Sequence, residues 1–156
     1  MLLLNILLIE LLLLLLCSSV LSFNNNIKHW NRSKGFVLNP TLLVQSSEKF
    51  IDKSKQTAFL KECSKTIANI LGKPEQYVMI SYKHVDGMIY AGNDELPSAF
   101  CHLASIGKIG PDYNPKVSNA ICKILETHLN IKSNRVYIQF YDSSASNFGY
   151  DGSTFG

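Results

Sequence analysis

Cysteine and histidine are typical zinc ligands, and cysteine can also form disulfide bonds, so we first consider the spacing of these residues in the 156-residue chain. Beyond the Leu-rich start of the chain, three cysteines stand far apart: Cys63, Cys101 and Cys122. Because their number is odd and no Cys-x-x-Cys pair occurs, the spacing indicates neither a disulfide framework nor a zinc site. Three histidines also lack ligand spacing: His84, His102 and His128. The sequence therefore predicts no metal site, and we interpret the cysteines as small buried hydrophobic residues.

Charge is nearly balanced over most of the chain. Residues 40–156 carry twelve Lys and Arg against eleven Asp and Glu, and no basic run occurs among them. This balance gives no electrostatic footprint for nucleic acid, so we expect no nucleic-acid partner. A body of this length is long enough to bury one hydrophobic core and too short for two.

The segment that precedes this body, residues 1–39, differs from it in composition. Residues 1–22 are Leu-rich and end in small residues, as a signal peptide does, although Glu10 interrupts the apolar run. Residues 23–39 are basic, Asn-rich and free of acids, and we interpret them as a spacer, a propeptide or a transit segment. We expect secretion. Delivery to a plastid through a bipartite leader and an uncleaved membrane anchor are the alternatives.

The body contains an internal repeat, whose two copies match position for position along their helices. In the first copy, one helical stripe predicts an amphipathic helix over residues 53–71: Phe59, Cys63, Ile67 and Leu71. Gly72 ends this helix, Pro74 prevents its continuation, and residues 77–82 are predicted to form a strand. In the second copy, the matching stripe is Val117, Ile121, Leu125 and Leu129, and a strand follows over 136–141.

An extended run precedes each helix, over residues 41–44 and 99–104, so the body is predicted to be β-α-β twice. We predict an α/β protein in the broad sense, an α+β two-layer sandwich with two helices on one face of a mixed four-stranded sheet. In the second copy, Asn130 is predicted to end the helix as Gly72 does in the first, and Lys132 is interpreted as the counterpart of Lys73 after one extra residue. Met79, Tyr137 and Phe140 are expected on the uncovered sheet face, which predicts a closed homo-oligomer.

Several motifs in this order resemble the macrophage migration inhibitory factor family of the tautomerase superfamily. They are Gly72-Lys73-Pro74, Ser105-Ile106-Gly107-Lys108-Ile109-Gly110, Arg135-Val136-Tyr137-Ile138 and Asn147-Phe148-Gly149-Tyr150. The resemblance covers residues 40–156 and implies a homotrimer with active sites between subunits. It also implies tautomerisation of a small aromatic 2-oxo acid or a dopachrome-like substrate, and in some members secretion as a cytokine.

The resemblance assigns the catalytic base to Pro40, which stands where the family has an N-terminal proline. A free proline nitrogen is a secondary amine, and burial beside a cation lowers the pKa of an amine because both disfavour its protonated form. Such a base suits keto-enol exchange at neutral pH. Within a peptide bond the same nitrogen is an amide without basicity, so activity requires cleavage between Asn39 and Pro40.

The remaining site residues are also implied by the resemblance. Lys73 corresponds to a lysine that binds the substrate carboxylate, and Ile106 to a residue whose backbone lines the pocket. Tyr137 and Gln139 correspond to residues that reach the site from the neighbouring subunit. Three aromatic side chains would form the pocket rim: Phe148, Tyr150 and Phe155.

Two features limit what the resemblance implies. Ser98 replaces the first cysteine of a Cys-x-x-Cys found in some relatives, so we expect no thiol-disulfide exchange there. A leader that stays attached would block Pro40. The alternative to the enzyme is therefore a secreted, non-catalytic ligand of a receptor.

Overall fold

A computed structural model describes residues 39–156, which lie within one compact unit, Val37–Gly156. The predicted signal peptide and nearly all of the basic segment lie outside the described residues. The main elements, in chain order, are β1 Thr41–Ser46, α1 Lys53–Leu71, β2 Met79–His84, β3 Ala99–Ser105, α2 Asn114–Leu129 and β4 Val136–Asp142. A short hairpin, β5 Gly149–Tyr150 and β6 Ser153–Thr154, follows them. Within this described part of the chain, neither helix is both long and apolar enough to cross a membrane.

Both helices begin and end where the sequence predicts. The side chain of Asp52 accepts a hydrogen bond from the Ser54 backbone nitrogen at 2.7 Å and caps the start of α1. Gly72 ends α1 in the left-handed conformation, with φ of 61°. Helix α2 has Pro115 in its first turn and ends at Asn130, which is also left-handed.

The sheet has the order β2-β1-β3-β4, which confirms the mixed four-stranded sheet and the duplicated β-α-β unit. Strand β1 is parallel to β2 and antiparallel to β3, and β3 is parallel to β4. Strand β2 begins at Met79, slightly later than predicted, because Glu75–Tyr77 forms a 3-10 turn after Pro74. In the antiparallel register, Thr41 pairs with Ala104, so the start of β1 lies beside the end of β3.

The core lies between the helices and one face of the sheet. The two predicted helical stripes are buried in it, together with alternate residues of β1 and β3. Each large aliphatic or aromatic side chain buried in this way contributes about 1.5–3 kcal/mol to folding. Cys63 and Cys101 belong to this core, and burial raises the pKa of both thiols to about 12. They are small hydrophobic residues, as the sequence indicates.

The uncovered sheet face is apolar in part, but Phe140 was wrongly assigned to it. Strand side chains alternate between faces, and β4 directs Val136, Ile138 and Phe140 towards the helices, where they pack against the core. Tyr137 and Tyr141 point the other way and are 63% and 52% exposed. The large exposed side chains on this face are Leu43, Met79, Phe100, Tyr137 and Tyr141.

Candidate active site

The end of α1 places Lys73 in the interior. Gly72 donates a backbone hydrogen bond to Asn69 and Lys73 donates one to Ala68, the two bonds of a Schellman motif. Position 72 requires a residue that tolerates a left-handed backbone, as glycine does. The chain reverses at this residue, and the side chain of Lys73 points into the protein interior. As a result, Lys73 is only 7% exposed.

The Lys73 ammonium is held by three oxygen atoms of the segment that follows β3. Nζ donates to Ser105 Oγ at 2.6 Å, to the Ile106 carbonyl oxygen at 2.8 Å and to the Gly107 carbonyl oxygen at 3.4 Å. Ser105 Oγ in turn donates to the Gly107 carbonyl oxygen at 2.9 Å. Ile106 therefore contributes its backbone to this site, while its side chain is buried.

Burial lowers the pKa of Lys73 to about 8 because the ammonium has lost most of its hydration. The carboxylate of Asp142 opposes this shift, and the positive charge of Lys108 adds to it. Asp142 itself accepts a hydrogen bond from the Gly107 backbone nitrogen at 2.7 Å. The site thus holds a cation that is protonated at neutral pH and close to titration.

The repeat shows that Lys73 is unusual for its position. Its counterpart in the second copy is Ile131, which also follows a left-handed helix cap and is fully buried. The interpretation of Lys132 as the counterpart was wrong, because Lys132 points outward and pairs with Glu126. An aliphatic side chain, Ile131, is therefore sufficient at this position in the second copy, whereas the first copy buries the charged side chain of Lys73 there.

Pro40 lies at the same edge of the sheet as Lys73. The pairing of Thr41 with Ala104, extended by one position, sets Pro40 beside Ser105, which accepts the Lys73 hydrogen bond. Pro40 is buried, and its carbonyl oxygen accepts from the Met79 nitrogen at 2.9 Å. The structure thus brings Pro40, Lys73 and Ile106 together around Ser105.

The bond that would have to be cut is buried. Asn39 is 8% exposed and has a φ of 70°, and its Oδ1 atom has no hydrogen-bond partner among the residues described. In this chain the nitrogen of Pro40 is therefore an amide inside the protein interior. A protease would need this segment to leave its place before it could bind the bond in an extended form.

Tyr137 and Gln139 do not reach Pro40 of their own chain. Tyr137 pairs with Phe100, at the far end of β3 from Ser105, a separation of roughly 16 Å along the strand. Gln139 pairs with His102, roughly 10 Å from the same edge. The side chains of Tyr137 and Gln139 also lie on the uncovered face of the sheet. Because strand side chains alternate between the two faces, Pro40 and Ser105 lie on the opposite face, which packs against the helices.

Tyr137 contacts Tyr90, which is held in turn by Arg135, and neither of these two residues was predicted to belong to the site. The rings of Tyr90 and Tyr137 are 4.9 Å apart, and the Arg135 guanidinium lies 5.2 Å from the Tyr90 ring. Arg135 also donates to four carbonyl oxygens of the loop before β3: those of Tyr90, Asn93, Leu96 and Pro97. Arg135 stands in one of the motifs that carry the family resemblance, but no local feature of the sequence indicates its contacts with this loop.

The predicted rim residues do form one aromatic cluster. Tyr150 stacks on Phe155 with centroids 5.5 Å apart, and Phe148 lies 6.4 Å from Phe155. Tyr77, which the sequence analysis assigned to a strand, contacts Tyr150 edge-on at 6.1 Å. The 3-10 turn after Pro74 thus joins the rim to the segment that carries Lys73.

Comparisons with known proteins identify the family to which this chain is similar. Residues 45–156 match the family model described as macrophage migration inhibitory factor (MIF). A macrophage migration inhibitory factor homolog of Brugia malayi is 43% identical over 103 residues, which are 66% of this chain and 89% of that protein. The macrophage migration inhibitory factor of Mus musculus is 41% identical over 97 residues, 62% of this chain and 84% of that one.

Solved structures give the same result for the fold. The Toxoplasma gondii macrophage migration inhibitory factor superposes with a TM-score of 0.71 at 33% identity and covers 74% of this chain and 99% of its own. A homologue from Prochlorococcus marinus gives 0.70 at 35% identity, with the same coverage of both chains.

Proposed function

The chain belongs to the macrophage migration inhibitory factor family, and from this premise we propose that it is a cofactor-independent keto-enol tautomerase whose base is Pro40. The substrate class is a small aromatic 2-oxo acid, such as phenylpyruvate, or a dopachrome-like compound. One observation carries the proposal. A buried lysine ammonium with a lowered pKa lies at the strand edge where Pro40 begins the sheet.

The proposed reaction moves one proton and leaves the oxidation level of the substrate unchanged. The free Pro40 nitrogen takes a proton from the carbon next to the keto group. The electrons of that C–H bond form the new carbon-carbon double bond, and the π electrons of the carbonyl bond move to the keto oxygen. The protonated amine then returns the proton to the keto oxygen, which gives the enol. Burial and the nearby Lys73 charge both disfavour a protonated Pro40, so its nitrogen is available as a base near neutral pH.

Lys73 can bind a substrate carboxylate and still keep the hydrogen bonds that orient its ammonium group. Its longest hydrogen bond goes to the Gly107 carbonyl oxygen, which also accepts from Ser105 Oγ. When the ammonium turns this third N–H towards a carboxylate, the Gly107 oxygen keeps a partner and no acceptor of this group is left unsatisfied. The two shorter bonds, to Ser105 and Ile106, continue to orient Nζ.

We propose a homotrimer in which Tyr137 and Gln139 complete the site of the neighbouring subunit. The support is that these side chains lie far from Pro40 in their own chain and on the exposed sheet face. Several large apolar and aromatic side chains exposed together on one face are typical of an interface between subunits. The aromatic cluster of Phe148, Tyr150 and Phe155 would then provide an apolar mouth for an aryl ring.

A second candidate function is a secreted ligand of a receptor with no catalytic activity. The observation that favours it is the buried Asn39–Pro40 bond, because an acylated Pro40 has no basic nitrogen. In both cases we propose secretion through residues 1–22, with plastid delivery as the alternative. A fluorescent protein fused to residues 1–39 distinguishes the two destinations by its location in the cell.

The enzyme proposal is tested by the residue at which the protein starts. A chain beginning at Pro40 should tautomerise phenylpyruvate, and a chain beginning at Asn39 should be slower by at least about 100-fold, because general-base catalysis contributes that much. Pro40→Gly in the first chain keeps a free amine but changes its basicity and position, so its rate should fall sharply. Equal rates in all three proteins would show that another group is the base.

A further inference from the structure

His102 and Gln139 contact each other across the uncovered face of the sheet. They are partners in the register of β3 and β4, and His102 Nδ1 lies 3.2 Å from Gln139 Oε1. The imidazole also stacks on Tyr141 at a centroid distance of 6.4 Å and an angle of 28°. Two neighbours on β4 therefore fix the orientation of the His102 ring.

This contact determines which end of the Gln139 amide remains available. An amide has one acceptor oxygen and two N–H donors, so a hydrogen bond to Oε1 requires the proton of His102 to be on Nδ1. With its oxygen engaged, the Gln139 side chain presents its NH₂ group. A free glutamine side chain rotates about three bonds, and fixing it in advance saves part of the entropy that substrate binding would otherwise cost.

We propose that His102 is a positioning residue that fixes the Gln139 amide, the group that the family resemblance assigns to binding an oxygen of the substrate. The inference rests on the proposed function, since it assigns Gln139 to the site of the neighbouring subunit. It deepens that function by adding a residue outside the predicted site that orients one of the substrate-binding groups. His102 itself does not touch the substrate.

Substrate pairs test this role in the chain that begins at Pro40. The readout is the ratio of kcat/KM for 4-hydroxyphenylpyruvate to kcat/KM for phenylpyruvate, which differ only in the ring hydroxyl. His102→Leu should lower this ratio about five- to tenfold, the effect of one hydrogen bond. His102→Asn should restore most of it, because the Asn side-chain N–H stands near the position of Nδ1 and can donate to Oε1.

A double-mutant cycle separates positioning from a general effect on folding. The ratio for His102→Leu combined with Gln139→Leu should be no lower than for Gln139→Leu alone, because His102 acts through Gln139. The proposal is overturned if His102→Leu lowers kcat/KM equally for both substrates, or if His102→Asn lowers the ratio as much as His102→Leu does. It is also overturned if the effects of His102→Leu and Gln139→Leu on the ratio are additive.

A spectroscopic measurement tests the contact without turnover. Nitrogen NMR of the imidazole should show the proton of neutral His102 on Nδ1, and Gln139→Leu should move it to Nε2. An unchanged tautomer would contradict the contact on which the inference rests. A parent protein that does not tautomerise either substrate would instead overturn the proposed function, whatever the tautomer of His102.

Discussion

Lys73 and Ile131 occupy equivalent positions in the two copies of the repeat, each buried directly after a left-handed helix cap. The second copy shows that this position needs only an aliphatic side chain for the fold. In the first copy an ammonium is kept there, although burying a charge is unfavourable without partners. Three oxygens of residues 105–107 provide those partners.

Ser105 should be needed for stability because its hydroxyl connects Lys73 to Gly107. We expect Ser105→Ala to lower the free energy of unfolding by about 1–3 kcal/mol, since it removes an acceptor of a buried ammonium. Ser98→Ala is the matched control: Ser98 is equally buried, but its Oγ has no partner among the residues described, so its loss should be neutral or stabilising. Urea unfolding measures both, and equal effects would contradict the role of Ser105.

Affinity for a 2-oxo acid should decrease above pH 8. The Lys73 ammonium binds the carboxylate, and its pKa is about 8, so KM for phenylpyruvate should rise towards tenfold per pH unit above that value. Lys73→Arg, which stays charged, should remove the rise.

Unfolding does not explain such a loss of affinity. Between pH 8 and the ordinary lysine pKa of 10.5, the unfolded chain binds more protons than the folded one at this position, so this group stabilises the fold increasingly as pH rises. A KM for the parent protein that stays constant to pH 9.5 would show that Lys73 does not bind the carboxylate.

Removal of Asn39 should be faster from the unfolded chain than from the folded one. Both residues of the Asn39–Pro40 bond are buried, and the Pro40 carbonyl is bonded to Met79. We expect an aminopeptidase specific for X-Pro bonds to release Asn39 from a chain beginning there at least about tenfold faster in urea that unfolds the substrate but not the protease. Intact mass measures the release. A folded chain trimmed at the same rate would mean that this edge opens readily.

The site should contain residues from two subunits. Pro40→Gly and Tyr137→Ala should each be nearly inactive alone, but refolding them together at equal amounts should restore about a quarter of the parent activity. In a cyclic trimer, about one site in four combines an intact Pro40 with an intact Tyr137 from the next subunit. Phe100→Ala, on the same face, is the control. A mixture of Phe100→Ala and Pro40→Gly should be no more active than the Phe100→Ala protein that it contains. Failure of the first pair to complement would contradict a site that is shared between two subunits.

The sequence determines the architecture better than the site. Helix bounds were predictable because the stripe, the Gly72 cap and Pro74 are all local signals. Phe140 was misassigned because a run of apolar and aromatic residues does not reveal which of its two faces packs on the helices. The burial of Lys73 could have been predicted from its alignment with Ile131, because residues 73 and 131 are equivalent when the two copies of the repeat are superposed in the sequence.

Other parts of the site could not be predicted from the sequence alone. The contacts of His102 with Gln139 and of Tyr90 with Tyr137 join residues that are far apart in the chain, and they depend on strand register and on the loop before β3. A lone histidine or tyrosine carries no local signal of such a contact. The resemblance to a family supplied Tyr137 and Gln139, but not the residues that hold them.

In the proposed enzyme, burial and the charge of Lys73 keep a free Pro40 nitrogen unprotonated near neutral pH. The most direct test is a nitrogen NMR titration of a chain that begins at ¹⁵N-labelled Pro40. We predict a pKa for this amine below the ordinary α-amino range of about 7.7–8.0, and a higher pKa in Lys73→Ala. A Pro40 pKa within or above that range, unchanged by Lys73→Ala, would contradict the claim.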